Sequence, residues 1–224
     1  PVNKKLSLAY NAQSQSSAIP FLRPRDIQVS IAGQSSEEKQ LSLQNAIHEH
    51  YQSCYQKAVE QRTELNLDIP IIATGHLTVV GAELTDSVRE IYIGTLDAFP
   101  SGAFPPADYI ALGHIHRPQL IGGQAHIRYS GSPIALSFDE SQQQKSVCLV
   151  EFNQHQFANV TLLPIPVFQP LLSLKGSLKE LQKQLMDLPV KENEPPIWLD
   201  IEVATQDYLG DIQQRIEALT QELP

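Results

Sequence analysis

The sequence predicts an α/β protein in which a sheet-rich layered domain with outer helices precedes a small β-α-β-α domain. Short apolar runs recur between residues 68 and 165 at a density typical of a sheet, and one long stretch before them has helical periodicity. The proline-rich segment 164–170 then interrupts the pattern. We therefore predict a first domain over 1–165 and a second over 166–224.

The first helix is predicted between Ser35 and about Arg62, after an opening of 18 polar residues without a clear period. Residues 18–26 are expected to end a strand and to continue as a proline-containing loop. The apolar stripe of the helix recurs at steps of three and four and consists of Leu43, Ile47, Tyr51, Cys54, Tyr55 and Ala58. Serines followed by acidic residues predict its start near Ser35.

The sheet is predicted from apolar runs that are too short for helices. Residues 68–76 are rich in isoleucine and indicate a buried strand, and residues 107–114 repeat the same plan. Further strands or hairpins are predicted at 89–100, 121–138, 145–152 and 156–165. Because several of these runs follow one another closely, the first domain is expected to be built around its sheet.

The second domain is predicted to alternate strand and helix. Strands are expected at 171–176 and 196–203, and helices at 177–188 and 207–223. A domain of about sixty residues buries little surface, so its independent stability is expected to be marginal.

The composition is that of a globular protein with a buried core. Of the 224 residues, 42% are hydrophobic and 18% are charged, and no apolar run is long enough to cross a bilayer. The net charge of -9 argues against a protein that coats DNA with its whole surface, because such binding requires many basic residues. It does not exclude an enzyme that handles phosphates through bound cations.

Histidines at two strand ends are the main chemical signal. Both matched strands end in Gly-His, at His76 and at His114, and His116 follows two residues later. His114 and His116 are expected to leave the same face of a strand, about 6 to 7 Å apart. Such a pair can simply end a strand, but three imidazoles at the carboxyl ends of neighbouring parallel strands predict a metal site. They could hold one zinc ion with water, or form the nitrogen half of a mixed site.

Other polar residues are weaker signals. Arg23 and Arg25 could contact a nucleic-acid phosphate, although arginines around a proline are often surface anchors. The bend at 130–132 could pass close to a metal site, but a tight turn explains the same small residues. Asp139 and Glu140 form a single acidic pair at a strand end, which carries little information. His48 and His50 are predicted to be exposed to solvent, and His126 and His155 are predicted to be structural or solvated.

Nucleophilic catalysis has no support in the sequence. There is no Gly-x-Ser-x-Gly elbow, and no glycine-rich phosphate loop of the P-loop or Rossmann type occurs. Cys54 and Cys148 lie in apolar surroundings without metal-type spacing, so they are predicted to be buried free thiols. Free thiols are compatible with a reducing cytoplasm.

Several segments together resemble the SbcD family of nuclease subunits, within the calcineurin-like metallophosphoesterase superfamily. They are IPFLRPRD, TGHLT, VREIYIGTLDAFP, FPPADYIALGHIHRPQ, YSGSPIALSFDE and EPPIWLDIEV. The resemblance covers roughly residues 18–224, whereas generic phosphoesterases would share only the Gly-His and Gly-His-x-His elements. It implies that 1–165 is the C-terminal portion of a layered β-sandwich nuclease domain. Residues 166–224 would be a truncated capping domain that contacts DNA.

The resemblance also implies a chemistry. The family uses two divalent metal ions, expected to be Mn²⁺, bridged by a carboxylate. His76 and His114 would bind one ion and His116 the other. The whole protein would hydrolyse phosphodiester bonds at double-stranded DNA ends and in hairpins, as an exonuclease and endonuclease with an SbcC-like ATPase partner. A cytoplasmic location without a membrane is expected, and a homodimer is left open.

The chain departs from the family in one large respect. The Asp-x-His and Gly-Asn-His-Asp elements of the family do not occur here, and the one Gly-Asp pair, Gly210-Asp211, falls in the last predicted helix and does not match the family's element. They would supply the bridging aspartate, an asparagine ligand and the histidine that assists transfer, so no catalytic residue is assigned within this chain. We expect a fragment that lacks the N-terminal half of the nuclease domain and the C-terminal tail, and that is inactive alone. The alternatives are a non-catalytic DNA- or partner-docking module and a mononuclear zinc hydrolase using the three histidines.

Overall fold

A computed structural model describes residues 7–10, 14–27, 33–83, 98–188, 195–204 and 211–221. The chain divides into two compact units. Unit 1 comprises Pro1–Pro133 with Gln144–Ile165, and unit 2 comprises Ile134–Gln143 with Pro166–Pro224. Both units combine helices with strands, and the larger sheet is mostly parallel, so the α/β class is confirmed. The assignment of 1–165 as a nuclease domain and of 166–224 as a capping domain stays a prediction.

Unit 1 contains a six-stranded sheet. In chain order the strands are β1 (Ser7–Tyr10), β2 (Gln15–Ala18), β3 (Ile71–His76), β4 (Tyr109–Gly113), β5 (Gln119–Ile121) and β6 (Gln124–Tyr129). Across the sheet their order is β1-β2-β3-β4-β6-β5. The four central strands are parallel, and β1 and β5 pair antiparallel at the two edges. Their parallel pairing brings the carboxyl ends of the central strands to one edge of the sheet.

Two helices connect β2 to β3. A single helical turn, α1 (Pro24–Ile27), precedes the long helix α2 (Ser36–Glu64). The side chain of Ser35 accepts a hydrogen bond from the Glu38 N–H, and the Glu38 carboxylate accepts one from the Ser35 N–H, which forms a capping box. The buried residues of α2 are Leu43, Ile47, Tyr51, Cys54 and Ala58. The predicted helix is therefore confirmed, and so is its stripe except for Tyr55, which is half-buried.

Alternation along β3 decides which side chains face α2. Ile71, Ala73 and Gly75 are buried, and the absent side chain of Gly75 makes room for α2, since a Cβ there would overlap the hydroxyl of Tyr51. Because successive side chains of a strand point to opposite faces, His76 lies on the face away from α2. The alternating burial along β3 thus leaves His76, its last residue, on the face where it can contact the ends of other strands.

A long hairpin completes unit 1. It consists of β7 (Ser146–Asn153) and β8 (Gln156–Pro164), which pair antiparallel. Gln154 and His155 form its turn, and both have positive φ, at 48° and 67°. The ring of Phe157 stacks on Tyr109 of the sheet with 5.9 Å between ring centroids. The two predicted strands and the turn at His155 are confirmed.

Unit 2 has the predicted β-α-β-α order. Its elements are β9 (Leu171–Gly176), α3 (Leu178–Met186), β10 (Trp198–Val203) and α4 (Ile212–Gln221), with β9 and β10 parallel. Leu174, Leu181 and Leu185 form its buried core, and partly buried side chains of β10 and α4 pack against them. The predicted start and end of the last helix, at 207 and 223, lie outside the described residues.

The polar opening contains strand β1, which the sequence did not predict, and strand β2, of which only the end near residue 18 was predicted. Gln15 and Ser17 of β2 are almost fully buried, so this strand has no apolar run that would reveal it. The Gln15 side-chain amide donates to Gln61 Oε1 of α2 at 3.0 Å, which helps to offset the cost of burying it. The predicted loop at 18–26 contains the helical turn α1, so that part of the prediction is wrong. Most of the strand predicted at 89–100 lies outside the described residues.

Two histidines and one cysteine also differ from their predictions. His48 is half-buried, with Nδ1 2.7 Å from the carbonyl oxygen of Ala103, and His50 lies 3.7 Å from the Cys54 sulfur. Both were expected on the solvated surface, and packing of α2 against neighbouring segments explains the difference. Cys54 is buried as predicted, whereas Cys148 is only half-buried, and both are free thiols. None of the described helices is long and apolar enough to span a membrane.

Candidate metal centre

The carboxyl ends of β3 and β4 lie side by side. The two strands pair in parallel, with His76 opposite Gly113 in the ladder, and His114 follows directly. The imidazole rings of His76 and His114 have their centroids 5.3 Å apart. The neighbouring parallel strands and the proximity of these two histidines agree with the sequence analysis. Their role as metal ligands stays a prediction.

His114 and His116 do not leave one face of a strand, and this expectation is wrong. Strand β4 ends at Gly113, and His114 has a φ of 100°, where an L residue is strained by about 1–3 kcal/mol. The alternation of a strand therefore no longer applies to these two side chains. Ile115 between them is buried at 2% exposure and anchors the loop in the core. We call residues 114–118 the histidine loop.

Small and aromatic residues shape the space around His76. A Cβ at Gly113 would lie 3.1 Å from Nδ1 of His76, so glycine leaves room for this imidazole. The ring of Phe21 approaches His76 edge to face, with 6.3 Å between centroids. Phe21 begins the segment that carries the two candidate arginines, so this segment starts beside the histidines.

His76 and His114 are held in their neutral form. Burial is the main cause that lowers the pKa of His114 to about 4, and the neighbouring His76 and His116 lower it further. Burial also lowers the pKa of His76, with His116 as the second cause. These mutual effects indicate that all three side chains lie near one another. Because only a neutral imidazole can ligate a metal, His76 and His114 are in the required form at pH 7.

The three histidines fit part of a metal site. Imidazole nitrogens suit zinc and iron, and a mixed set of imidazoles and carboxylates is compatible with manganese. Two of the three imidazoles are neutral, adjacent and partly shielded from water. In the part of the chain that the structure describes, no three histidine, cysteine or acidic side chains are placed to hold one ion together. As metal ligands, the three histidines would therefore need further donors, such as a carboxylate.

The other candidate residues lie in ordinary structural roles. The guanidinium of Arg23 pairs with Asp26 at 2.7 Å, while Arg25 is exposed on α1. Contact of Arg23 and Arg25 with nucleic acid stays a prediction. Glu140 in unit 2 is fully buried, and its carboxylate accepts from the N–H of Leu136 at 3.1 Å. Asp139 accepts a short hydrogen bond from Ser137. These contacts give both acids a local structural role.

The surroundings of His116 include the bend that the sequence indicated and one residue that it did not, Lys145. Gly131 has a φ of 79°, and a Cβ there would lie 2.8 Å from the carbonyl oxygen of His116. The bend at 130–132 is therefore both a tight turn and a close neighbour of the histidine loop. Lys145 is 6% exposed, and its Nζ lies 3.4 Å from the same oxygen. A single lysine between polar residues gives no sequence signal of burial.

Comparison with known proteins gives a consistent set of relatives. A family model described as the type 5 capsule protein repressor C-terminal domain, SbcD_C, matches residues 167–224. A protein named as the SbcD subunit of nuclease SbcCD, from Escherichia coli (strain K12), is 56% identical over 206 residues, which cover 92% of this chain and 51% of the relative. A Bacillus subtilis (strain 168) protein of the same name is 32% identical over 169 residues, or 73% of this chain and 42% of the relative. The chain thus spans about half the length of these curated relatives.

Proposed function

Because this chain belongs to the SbcD family of SbcCD nuclease subunits, over the part of those proteins that it spans, we propose that it supplies the histidine half of a metal-dependent DNA nuclease. The reaction is hydrolysis of phosphodiester bonds at the ends and hairpins of double-stranded DNA, by exonucleolytic and endonucleolytic cleavage. The proposal includes an SbcC-like ATPase partner and a calcineurin-like layered arrangement of unit 1. The names of the relatives, together with their sequence identity to this chain, support the nuclease role.

One observation carries the metal part of this proposal. His76 and His114 end neighbouring parallel strands, with ring centroids 5.3 Å apart. On this proposal they bind one ion and His116 binds a second, both Mn²⁺. Two such ions, when bound, supply the positive charge that stabilises an in-line displacement at phosphorus. A nuclease of this kind tolerates a net charge of -9, because the ions supply the positive charge at the site.

The residues of this chain contribute position and neutral donors. Burial keeps the imidazoles of His76 and His114 unprotonated at pH 7. Gly113 gives His76 its space, and the buried Ile115 fixes the loop between the other two ligands. The bridging aspartate, an asparagine ligand and a transfer-assisting histidine would come from outside this chain. We therefore expect no nuclease activity from the 224 residues alone.

Unit 2 provides the observation that favours a second candidate, a docking module. Residues 166–224 contain ten acidic and five basic residues, so general attraction to DNA phosphates is unfavourable. Lys179 and Lys183 lie one helical turn apart on the exposed side of α3, and they are the described cations best placed for a local DNA contact. The overall acidity favours a protein partner such as the ATPase.

A chimera tests the nuclease proposal. This chain would be fused to the portion of the Escherichia coli relative that it does not cover, and Mn²⁺-dependent cleavage of linear duplex and hairpin DNA would be measured. The chimera is expected to cleave both. His76→Ala, His114→Ala and His116→Ala should each reduce cleavage by about 100-fold or more, since losing even a group that only orients a metal ligand costs 10–100-fold. His155→Ala, in the exposed hairpin turn, is the matched control.

Two results would contradict the proposal. Cleavage of duplex DNA by the 224-residue chain alone with Mn²⁺ would show that the histidine half is sufficient. Full activity of the three histidine variants in the chimera would show that they are not ligands. One tightly bound zinc ion per 224-residue chain, lost in His76→Ala, would instead support the mononuclear zinc alternative. The arrangement of the described side chains disfavours that outcome.

A further inference from the structure

A buried lysine lies beside the histidine loop. Lys145 is 6% exposed, and its Nζ donates to Ser132 Oγ at 3.0 Å and to the carbonyl oxygen of His116 at 3.4 Å. Ser132 is 7% exposed, and its N–H donates to the same carbonyl at 3.0 Å. Burying an ammonium group is costly unless acceptors surround it. One of the acceptors around the Lys145 ammonium is the backbone carbonyl of His116, which lies within the histidine loop.

The histidine loop needs such an anchor. His114 has a φ of 100°, and backbone of this kind persists only where surrounding contacts hold it. On the far side of the loop, Gly131 is packed so closely that a Cβ would lie 2.8 Å from both the His116 oxygen and Cδ of Pro118. The bend at 130–132 and the histidine loop are therefore fitted to each other. At this contact, Lys145 and the Ser132 N–H both donate hydrogen bonds to the carbonyl oxygen of His116.

Lys145 is itself fixed at the base of the β7–β8 hairpin. Its carbonyl oxygen accepts from the Ile165 N–H at 2.8 Å and from the Gln144 side-chain amide at 3.0 Å. The residue directly precedes β7, so its backbone position follows the hairpin register. The side chain therefore connects a rigid element to the loop that carries His114 and His116.

We propose that Lys145, acting with Ser132, is a positioning residue that holds the carbonyl of His116 and thereby fixes the orientation of His114 and His116 as metal ligands. Its part in metal binding rests on the proposed function, whereas its anchoring of the loop is a property of the metal-free protein. Groups that orient metal ligands without touching the ion typically change metal affinity by 10–100-fold. Lys145 acts through the backbone of the histidine loop.

The test replaces Lys145 by methionine, which keeps the length of the side chain but removes the ammonium group. Mn²⁺ affinity would be measured by electron paramagnetic resonance titration of the chimera described above, which carries the complete proposed ligand set. Exchange of the Ser132 amide hydrogen would be measured without metal. We expect Lys145→Met to weaken Mn²⁺ binding about 10-fold or more. Exchange at Ser132 should rise several-fold, while the amides of β3 keep their protection. Lys57→Met, at an exposed lysine of α2, is the matched control and should change neither quantity.

Each result decides a separate point. Unchanged Mn²⁺ affinity together with unchanged Ser132 exchange would overturn the proposal, and so would a rise in exchange that is equal at Ser132 and throughout β3. If Lys145→Met does not fold, Ser132→Ala keeps the lysine and should give a smaller change in the same direction, whereas no change would overturn the proposal. If the chimera with Lys145 intact binds no Mn²⁺, the metal part of the proposed function fails. Exchange at Ser132 then decides the anchoring role alone.

Discussion

The two units differ in the size of their sheets and of their hydrophobic cores. Unit 1 has a six-stranded sheet, a 29-residue helix and all seven histidines, whereas unit 2 has a two-stranded sheet and a buried core of three leucines among its described residues. Hydrophobic stabilisation grows with buried area, at about 25 cal/mol per Å², so the free energy of unfolding is expected to be smaller for unit 2 than for unit 1. The strained backbone of His114 and the buried Lys145 both lie in unit 1. Unit 2 also buries a charged group, the carboxylate of Glu140, so the contrast between the units lies in the size of the hydrophobic core.

The largest expected effect comes from the small core. Leu181 is fully buried, and Leu181→Ala should cost about 2–5 kcal/mol, which is comparable with the whole stability expected of a domain of this size. Amide hydrogens of β9 and β10 should then lose their protection from exchange, while those of β3 and β4 keep theirs. Ile47→Ala, at an equally buried site of α2, is the matched variant.

The matched variant should behave differently although its local cost is similar. Ile47→Ala should lower the free energy of unfolding of unit 1 by about 2–5 kcal/mol and leave β3 and β4 protected at neutral pH. Retained protection of β9 and β10 in Leu181→Ala would contradict the idea that unit 2 is marginal. Loss of protection in β3 after Ile47→Ala would contradict the idea that unit 1 has a reserve.

Periodicity predicted most of the fold because the core of unit 1 is apolar along regular elements. The stripe of α2 buries side chains at helical spacing, and the matched strands at 71–76 and 109–113 bury most of theirs. In β7 of the hairpin, half-buried and exposed residues alternate. The extent of strand β2 was not predicted, because polar residues, Gln15 and Ser17, occupy its buried positions. A buried polar strand depends on partners distant in sequence, and no local pattern shows those partners.

The candidate site was predictable in its residues but not in its geometry. Two Gly-His strand ends indicated which histidines would meet, since parallel strands bring their carboxyl ends together. The positive φ of His114 was not predictable, because tertiary contacts such as those of Ile115 and Gly131 hold it. Lys145 was missed for a related reason. Its burial depends on the position of the hairpin base, and an isolated lysine normally indicates the surface.

Acid should weaken unit 1 more than unit 2. The pKa of His114 is about 4 in the folded protein and about 6.5 when unfolded, so the unfolded state binds more protons as the pH falls through this window. Stability contributed by neutral His114 is therefore present above pH 6.5 and lost progressively between about 6.5 and 4. Because this side chain is half-exposed, we expect a loss of roughly 1–2 kcal/mol, less than the full shift would give.

The measurement uses metal-free protein kept in a chelator. Its urea unfolding, followed by the ellipticity of α2, should have a midpoint that falls as the pH is lowered from 6.5 to 4. His114→Gln should flatten that dependence. Fluorescence of Trp198, the single tryptophan, reports on unit 2, which contains no histidine, and its midpoint should stay constant until the carboxylates titrate. An equal acid response of both probes would contradict the assignment of the effect to His114.

The smallest expected effect uses one motif that occurs in both units. Ser35 caps α2 and Ser177 caps α3, each in a capping box with a glutamate three residues later. Replacing either serine by alanine should cost about 1 kcal/mol. The measured shift of a urea midpoint equals this cost divided by the slope m, and m grows with the surface that unfolding exposes. Ser177→Ala should therefore move the Trp198 transition further than Ser35→Ala moves the transition of α2. Equal shifts would mean that the two units unfold as one cooperative body, and the contrast between a deep and a shallow core would then not govern their stability.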